Sequence, residues 1–395
     1  MQITVIGQGY VGLPLAIAAA EAGYKVFGLD SNLEKIAMIQ SGKSVVADVS
    51  NDSIVRNLSS NLYFPTADHK SISESEVVLI CVPTPISNSF KPDLESLLSA
   101  TSTVGKNLRA KTLVIIESTI EPGTCRDILL PILLNESGLK SEDFYFAYSP
   151  ERIDPSNRDW NITNTPKLVA GLTEQSSAMA TKFYKKFVNS ITECSSLELA
   201  ETAKLLENSF RFINITFINE LAIYCEKTGI DIREVIEAAS TKPYGFMPFY
   251  PSVGVGGHCI PVDPMYLANA ARASGVSLQM IELAHDINQR TADFIVYRAE
   301  KKIGKLHGKK IIVIGVAYKP NVADIRETPV ASLIKGLKRN GANVFWHDDL
   351  VKEWNGERST LLSKEFDLAI ISTLHDYIDL TKIGRVKIVD TRGSL

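Results

Sequence analysis

A strand, a glycine turn and a helix in immediate succession constrain this chain more than any other feature. Residues 2–6 (QITVI) form a short β-branched run. Gly7-Gln8-Gly9-Tyr10-Val11-Gly12 follows, and 12–22 (GLPLAIAAAEA) has helix-forming composition. A second strand at 25–29 (KVFGL) ends at Asp30. In such a βαβ unit Gly7 permits the tight turn, Gly9 lets backbone approach a pyrophosphate, and Gly12 lets the helix pack closely on the sheet. The helix N-terminus faces the phosphates. Asp30 stands where an acid accepts from ribose hydroxyls. Its carboxylate repels a 2′-phosphate and no Arg follows it, so NAD is favoured over NADP. A glycine-rich turn that serves another ligand is the bland alternative, and strand, motif, helix, strand and acid in register outweigh it.

The pattern continues beyond that unit. Strands are expected at 77–82, 112–117 and 144–148 with helical stretches between them, which implies a parallel sheet covered on both faces. Residues 196–228 contain no Gly or Pro and are apolar around most of a helical circumference, so this helix bridges domains or forms a subunit interface. A Gly/Pro-rich loop at 243–264 is of the kind usually shaped for a ligand. A second α/β unit runs from a strand at 309–314 through a helix near 329–340 to strands at 342–347, 367–372 and 386–390. It echoes the first through Gly315 and Asp348-Asp349 but lacks GxGxxG, which points to a different nucleotide-type ligand there.

At 395 residues the chain calls for two or three domains. Its net charge of −3, without a basic tail or single-sign block, gives no support to nucleic-acid or anionic-membrane binding. No apolar run approaches the ~18 residues that suggest a membrane span, and the N-terminus enters a strand directly. Five cysteines without a CxxC pair fit reduced thiols in a cytoplasmic protein rather than a disulfide framework or a metal site; no metal is expected.

Among the cysteines, Cys259 alone lies in a glycine loop, Gly254-Val255-Gly256-Gly257-His258-Cys259-Ile260-Pro261-Val262-Asp263. Small residues let a substrate approach the thiol, and adjacent N–H groups favour a thiolate; on spacing alone a nucleophile and an inert thiol stay equally open. Lys204, Asn208 and Arg211 share one face of the long helix, as an exposed stripe or as the lining of a wet cleft. In the second case Lys204 and Asn208 could serve an oxyanion. Pro83-Thr84 and Ser118-Thr119 follow strands, at the edge where open α/β sheets bind ligands. Ser149-Pro150-Glu151-Arg152 offers an acid beside a base, while Lys319 and Arg326 belong to a charged loop. His258 beside the thiol invites a Cys–His dyad, although sequence neighbours seldom face each other.

Taken in order, GQGYVGLPLA, VPTP, ESTIEPGT, SPER, AKLLENSFRFINITFINE, FYPSVGVGGHCIPVDP and AYKPNVADIRETP resemble the UDP-glucose/GDP-mannose dehydrogenase family along essentially the whole chain. The resemblance implies two Rossmann-like doubly wound α/β domains joined by a long-helix dimerisation domain. Their expected bounds are 1–193 for NAD, 194–300 for the helical part with the Cys loop, and 301–395 for the nucleotide-sugar. It implies Cys259 as nucleophile, Asp263 as an aid to proton transfer, Lys204 and Asn208 as oxyanion stabilisers, and Thr119 and Glu151 as further catalytic groups. Cofactor contacts would come from Gly7, Gly9, Tyr10, Val11, Gly12, Asp30, Lys35, Pro83, Thr84, Ser118, Thr119 and Arg326. The sugar nucleotide would be held by Glu151, Arg152, Lys204, Asn208, Arg211, Lys319 and the loop residues Phe249, Tyr250, Ser252, Gly254 and Gly256.

Where UDP-glucose dehydrogenases tend to carry a Lys beside the loop proline, this chain has Pro261-Val262-Asp263. GGHCIPVDP, Arg211 and SPERIDPSNRDW look like the branch that acts on UDP-N-acetylhexosamines, with the glucosamine form favoured over UDP-N-acetylmannosamine and UDP-glucose. The expected product is the uronic acid, a surface polysaccharide precursor, made through a thiohemiacetal and a thioester. A two-electron β-hydroxyacid-type dehydrogenase and a non-catalytic nucleotide sensor are the competing expectations; neither needs the thiol.

Overall fold

The computed structural model describes the chain except residues 47, 87–91, 155, 156, 158, 394 and 395, so part of the SPERIDPSNRDW stretch lies outside the described residues. Two compact units divide it, Met1–Leu206 and Glu207–Leu395.

The first unit is built on β1 (Gln2–Ile6), β2 (Lys25–Leu29), β3 (Tyr63–Thr66), β4 (Val77–Ile80), β5 (Leu113–Ile116), β6 (Tyr145–Tyr148), β7 (Lys167–Gly171) and β8 (Ile191–Glu193). They lie in the order β3-β2-β1-β4-β5-β6-β7-β8, parallel through β6, with β7 antiparallel to β6 and β8 parallel to β7. The first six strands thus have the doubly wound dinucleotide-binding order, with its switch point between β1 and β4. Successive residues alternate faces with period two. Ile3, Val5, Val77, Leu79, Leu113 and Ile115 enter one core, whereas Ile6, Val78, Ile80, Val114 and Ile116 enter the other. Both faces are covered, so each strand reads as continuously apolar. Helix α1 (Gly12–Glu21) covers one face through Leu13, Leu15 and Ala16, and α2 (Glu174–Tyr184) contributes Ala180, Phe183 and Tyr184 to the same core.

The long helix α3 (Leu197–Thr228) appears at the expected place, one residue shorter at its start. The second unit continues with α4 (Asp263–Ala273), α5 (Gln279–Ile303), β9 (Lys310–Ile314), α6 (Val330–Arg339), β10 (Asn343–His347), the hairpin strands β11 (Glu353–Trp354) and β12 (Glu357–Arg358), β13 (Leu368–Ile371) and β14 (Lys387–Asp390). Its parallel sheet has the order β10-β9-β13-β14.

The two units close their first turn in the same way. The Gly7 N–H donates to Leu29 O at 2.8 Å, and the Gly315 N–H to His347 O at 2.8 Å. The next N–H in each case finds a strand-end carboxylate: Gln8 to Asp30 Oδ2 at 2.8 Å, and Val316 to Asp348 Oδ2 at 2.9 Å. Asp348 also accepts from the Ala317, Leu350 and Val351 N–H groups and from His375 Nε2. The Asn321 N–H donates to His375 Nδ1, which leaves the Nε2 proton for Asp348. Burial pushes the Asp348 carboxyl up, but His375 and the Val351 and Val316 N–H groups outweigh it and hold it at about 2.

Replacing Asp348 with Asn should therefore cost the second unit about 2–4 kcal/mol near neutral pH, read by urea unfolding with buried Trp346 as the probe. A depressed carboxyl stabilises above its unfolded value of 3.8, and that contribution fades as pH falls toward about 2. The wild-type protein should lose stability across that acid window more steeply than the Asn variant.

Candidate active site

The glycine turn after β1 has the form its sequence demands. Gly7 adopts φ of +92°, and a Cβ on Gly12 would stand 1.8 Å from Gly7 O. A Cβ on Gly9 would meet nothing within 4 Å, so the space beside this residue is open to an incoming phosphate. Tyr10 beside it is exposed and Val11 half-buried. Asp30 ends β2 with one oxygen on the Asn32 N–H and the other on the Gln8 N–H and Lys35 Nζ, the last at 2.6 Å. Burial raises the Asp30 carboxyl, and Lys35 with the two N–H groups brings it below the ordinary value. Beneath the turn, the Tyr63 hydroxyl donates to Gln8 Oε1. Next to it, the ends of β4 and β5 are stitched together by two side-chain bonds: Ser118 Oγ donates to Val82 O, and Thr84 Oγ1 to Thr119 O, both at 2.7 Å. Pro83 is exposed, and Thr119 half-buried. These residues fit an extended dinucleotide laid over the switch point.

Deeper in the first unit, Glu151 joins two charges that sequence reasoning missed, Glu117 and Lys167. Lys167, the first residue of β7, is 4% exposed, and its ammonium lies 2.8 Å from Glu117 and 3.4 Å from Glu151. Glu117 also accepts from the Tyr184 hydroxyl. Glu151 turns its other oxygen to the N–H groups of Arg152 and Ile153 at 2.5 and 2.7 Å, while the Arg152 guanidinium donates to Pro166 O. The signal was available: opposite charges abut the otherwise apolar strands LVII and LVAG, which leaves them no route to water.

In the second unit, Cys259 stands one turn ahead of α4 and is exposed. Its carbonyl accepts from the N–H groups of Val262 and Asp263 at 3.1 and 2.8 Å, which ties the thiol loop to the helix start, where N–H groups favour an anion. Asp263 is 2% exposed and accepts from Asn208 Nδ2 at 2.5 Å, so α3 and the thiol loop are joined through one carboxylate. The loop is pinned further along: Asn219 Oδ1 accepts from the Ser252 N–H, and Asn288 Oδ1 from the Val255 N–H, both at 2.7 Å. Gly254 and Gly256 are buried, and a Cβ on Gly257 would meet the Tyr318 ring at 2.8 Å. Phe249 packs edge-on against Phe210 at 5.9 Å between centroids.

The other expected residues fall out as follows. Lys204 and Asn208 are buried on α3, whereas Arg211 and Tyr250 are exposed. Lys319 is half-buried. Arg326 forks onto Asp324, with Nη2 to Oδ2 at 2.5 Å. Burial lowers the His258 ring below its ordinary value, and Arg326 adds to that against the opposing pull of Asp324. Among the described residues no group of side chains could hold a metal ion, and no helix is long and apolar enough to cross a membrane.

A glycine cradle at the switch point of a doubly wound sheet marks a dinucleotide-binding protein. Three family models match successive parts of the chain: the NAD binding domain over residues 1–188, the central domain over 198–290 and the UDP binding domain over 312–395. The chain belongs to the UDP-glucose/GDP-mannose dehydrogenase family and is an NAD-dependent nucleotide-sugar dehydrogenase. It is 36% identical to the UDP-N-acetyl-D-glucosamine 6-dehydrogenase of Pseudomonas aeruginosa, over 89% of this chain and 83% of that protein. The solved UDP-D-ManNAc dehydrogenase of Pyrococcus horikoshii superposes with a TM-score of 0.90 at 33% identity, covering 100% of this chain and 96% of the other. The NDP-N-acetyl-D-galactosaminuronic acid dehydrogenase of Methanosarcina mazei gives 0.85 at 29%, over 100% and 91%.

Cys81, Cys125 and Cys225 are buried and Cys194 is partly covered. Burial pushes the Cys81 and Cys125 thiols well up. Native protein should accordingly release about one equivalent of thiolate from a chromogenic disulfide reagent in a fast phase. The Cys259→Ser variant should lack that phase while unfolding in urea still exposes four thiols, the five of the chain less the one replaced.

Proposed function

We propose that the chain oxidises the C6 primary alcohol of a UDP-N-acetylhexosamine to the uronic acid, UDP-N-acetylglucosamine being the favoured substrate. The exposed Cys259 at the start of α4, tied through Asp263 to Asn208, carries the reading. The sugar class is supported by relatives named for N-acetylated hexosamines, the glucosamine form among them in the Pseudomonas aeruginosa enzyme.

Bound at the glycine turn, NAD supplies the hydride acceptor for both oxidations. The rest falls to the chain. An aldehyde at C6 has no second hydride to give until a nucleophile makes the carbon tetrahedral, and the Cys259 thiolate does so as a thiohemiacetal. Lys204 and the second N–H of the Asn208 amide stabilise the oxyanion, the first N–H being held by Asp263. Oxidation leaves a thioester; water oriented by Glu151 and Asp263, with Thr119 as a further catalytic polar group, adds to C6 and expels the thiol. Asp30 and Lys35 with residues 7–12, 83, 84 and 118 hold the cofactor, and Arg326 reaches toward it. Arg152, Arg211, Lys319 and the 249–256 loop hold the sugar nucleotide. The helical part, residues 194–300 in a three-part division, serves a homodimer or a higher homo-oligomer, and the product feeds surface polysaccharide synthesis.

Turnover should yield two NADH per acid formed, measured by absorbance against product; one NADH per substrate would favour a two-electron β-hydroxyacid-type enzyme. Cys259→Ser should bind UDP-sugar normally yet release no acid, and normal acid release by it would sink the thiol's role. Across UDP-glucose, UDP-N-acetylglucosamine, UDP-N-acetylmannosamine, UDP-N-acetylgalactosamine and GDP-mannose, kcat/KM should be highest for UDP-N-acetylglucosamine. Binding without turnover on all five would indicate a sensor.

A further inference from the structure

An ammonium sealed in a sheet is costly unless anions meet it, and even a well-paired buried ion pair is weak support for stability. Apolar side chains would serve β7 and the end of β5 equally well, as they do at the remaining buried positions of both strands. The arrangement around Lys167 is also unbalanced, since two carboxylates share one ammonium. Glu117, directly after β5, is 1% exposed and is completed by Tyr184 from α2. Glu151, in the loop after β6, is the accessible one, with its side chain 13% exposed. The Lys167 ammonium also stands 5.1 Å from the Tyr184 ring centroid, and Cys81 faces the group from the end of β4. So Glu117, Glu151, Tyr184 and Cys81 are the titratable groups around Lys167 from every strand and helix packed there.

Electrostatics separates the two acids. Burial pulls the Lys167 ammonium down, but the two carboxylates more than restore it, so it stays charged. Burial pushes Glu117 up to about 7 against the pull of Lys167. The ammonium is thus held charged between a sealed acid and one that opens outward.

We propose that Lys167 is a positioning residue whose ammonium fixes the Glu151 carboxylate in its water-orienting place, with Glu117 as the buried counter-ion that keeps the ammonium there. This rests on the role given to Glu151 above. A structural pair would need only Glu117; the reach of Nζ to a second acid on a different loop is what a positioning device requires.

A double-mutant cycle on acid release tests it, with NADH affinity and thermal melting as checks on the fold. Glu151→Gln should lower kcat by roughly a hundredfold or more. Lys167→Met should lower kcat on the order of tenfold with the UDP-sugar KM nearly unchanged, and should lower it no further in the Glu151→Gln background. Losses that multiply independently overturn the proposal and leave the role of Glu151 standing. Wild-type kcat in Glu151→Gln removes that role itself, whatever Lys167 does. Should Lys167→Met fold poorly because Glu117 is stranded, the Glu117→Gln, Lys167→Met double variant removes both sealed charges. Its kcat should fall as far as that of Lys167→Met, and the two changes together should again cost nothing more in the Glu151→Gln background; wild-type kcat in the double variant overturns the proposal.

Discussion

A chain that leaves a parallel strand through a glycine turn carries N–H groups that no neighbouring strand reaches, and here a carboxylate at the end of the next strand takes them. Asp30 does this for Gln8, and Asp348 for Val316 and Ala317. The bond fixes the turn, the turn aims the following segment, and the glycine that allows it lies close against neighbouring backbone. In the first unit the result is a helix start turned toward the switch point, which is where a pyrophosphate binds. Without that closure β1 and α1 would still be apolar and buried, but nothing would set the angle between them.

The fold was legible to the extent that it was written in apolar runs. β1, β2, β4, β5 and β6 and all four strands of the second sheet lie within a residue or two of where apolar runs put them; β1, β4, β5, β9 and β13 are the clearest, because strands buried on both faces carry few polar positions. β3 went unread because Pro65 interrupts it, a residue tolerated at the edge of the sheet. Helix α5 went unread for another reason: its buried stripe is carried by Ala284, Thr291, Ala292 and Ala299 with Ile281, Ile295 and Val296, small residues amid a charged sequence.

The site was legible where chemistry is local and opaque where it is assembled. The glycine turn and the thiol loop are contiguous, so their residue types announce them. Asn208 and Asp263 are 55 positions apart and their bond could not be read, although each was singled out. Glu117, Lys167 and Tyr184 come from β5, β7 and α2, and each alone reads as a strand-end or helix-end polar residue. Only the sheet order brings them to one point.

The two strand-end acids differ in what they have left to offer. Asp30 spends part of its charge on Lys35, a flexible side chain with 29% of its surface in water, which can swing aside for a sugar diol. Asp348, 1% exposed, accepts from four backbone N–H groups and a ring N–H. Asp30 therefore keeps an exchangeable acceptor for a ribose, and Asp348 does not. In the UDP binding domain the strand-end carboxylate is committed to its own turn, whereas in the NAD binding domain it is held in part by a side chain that can leave.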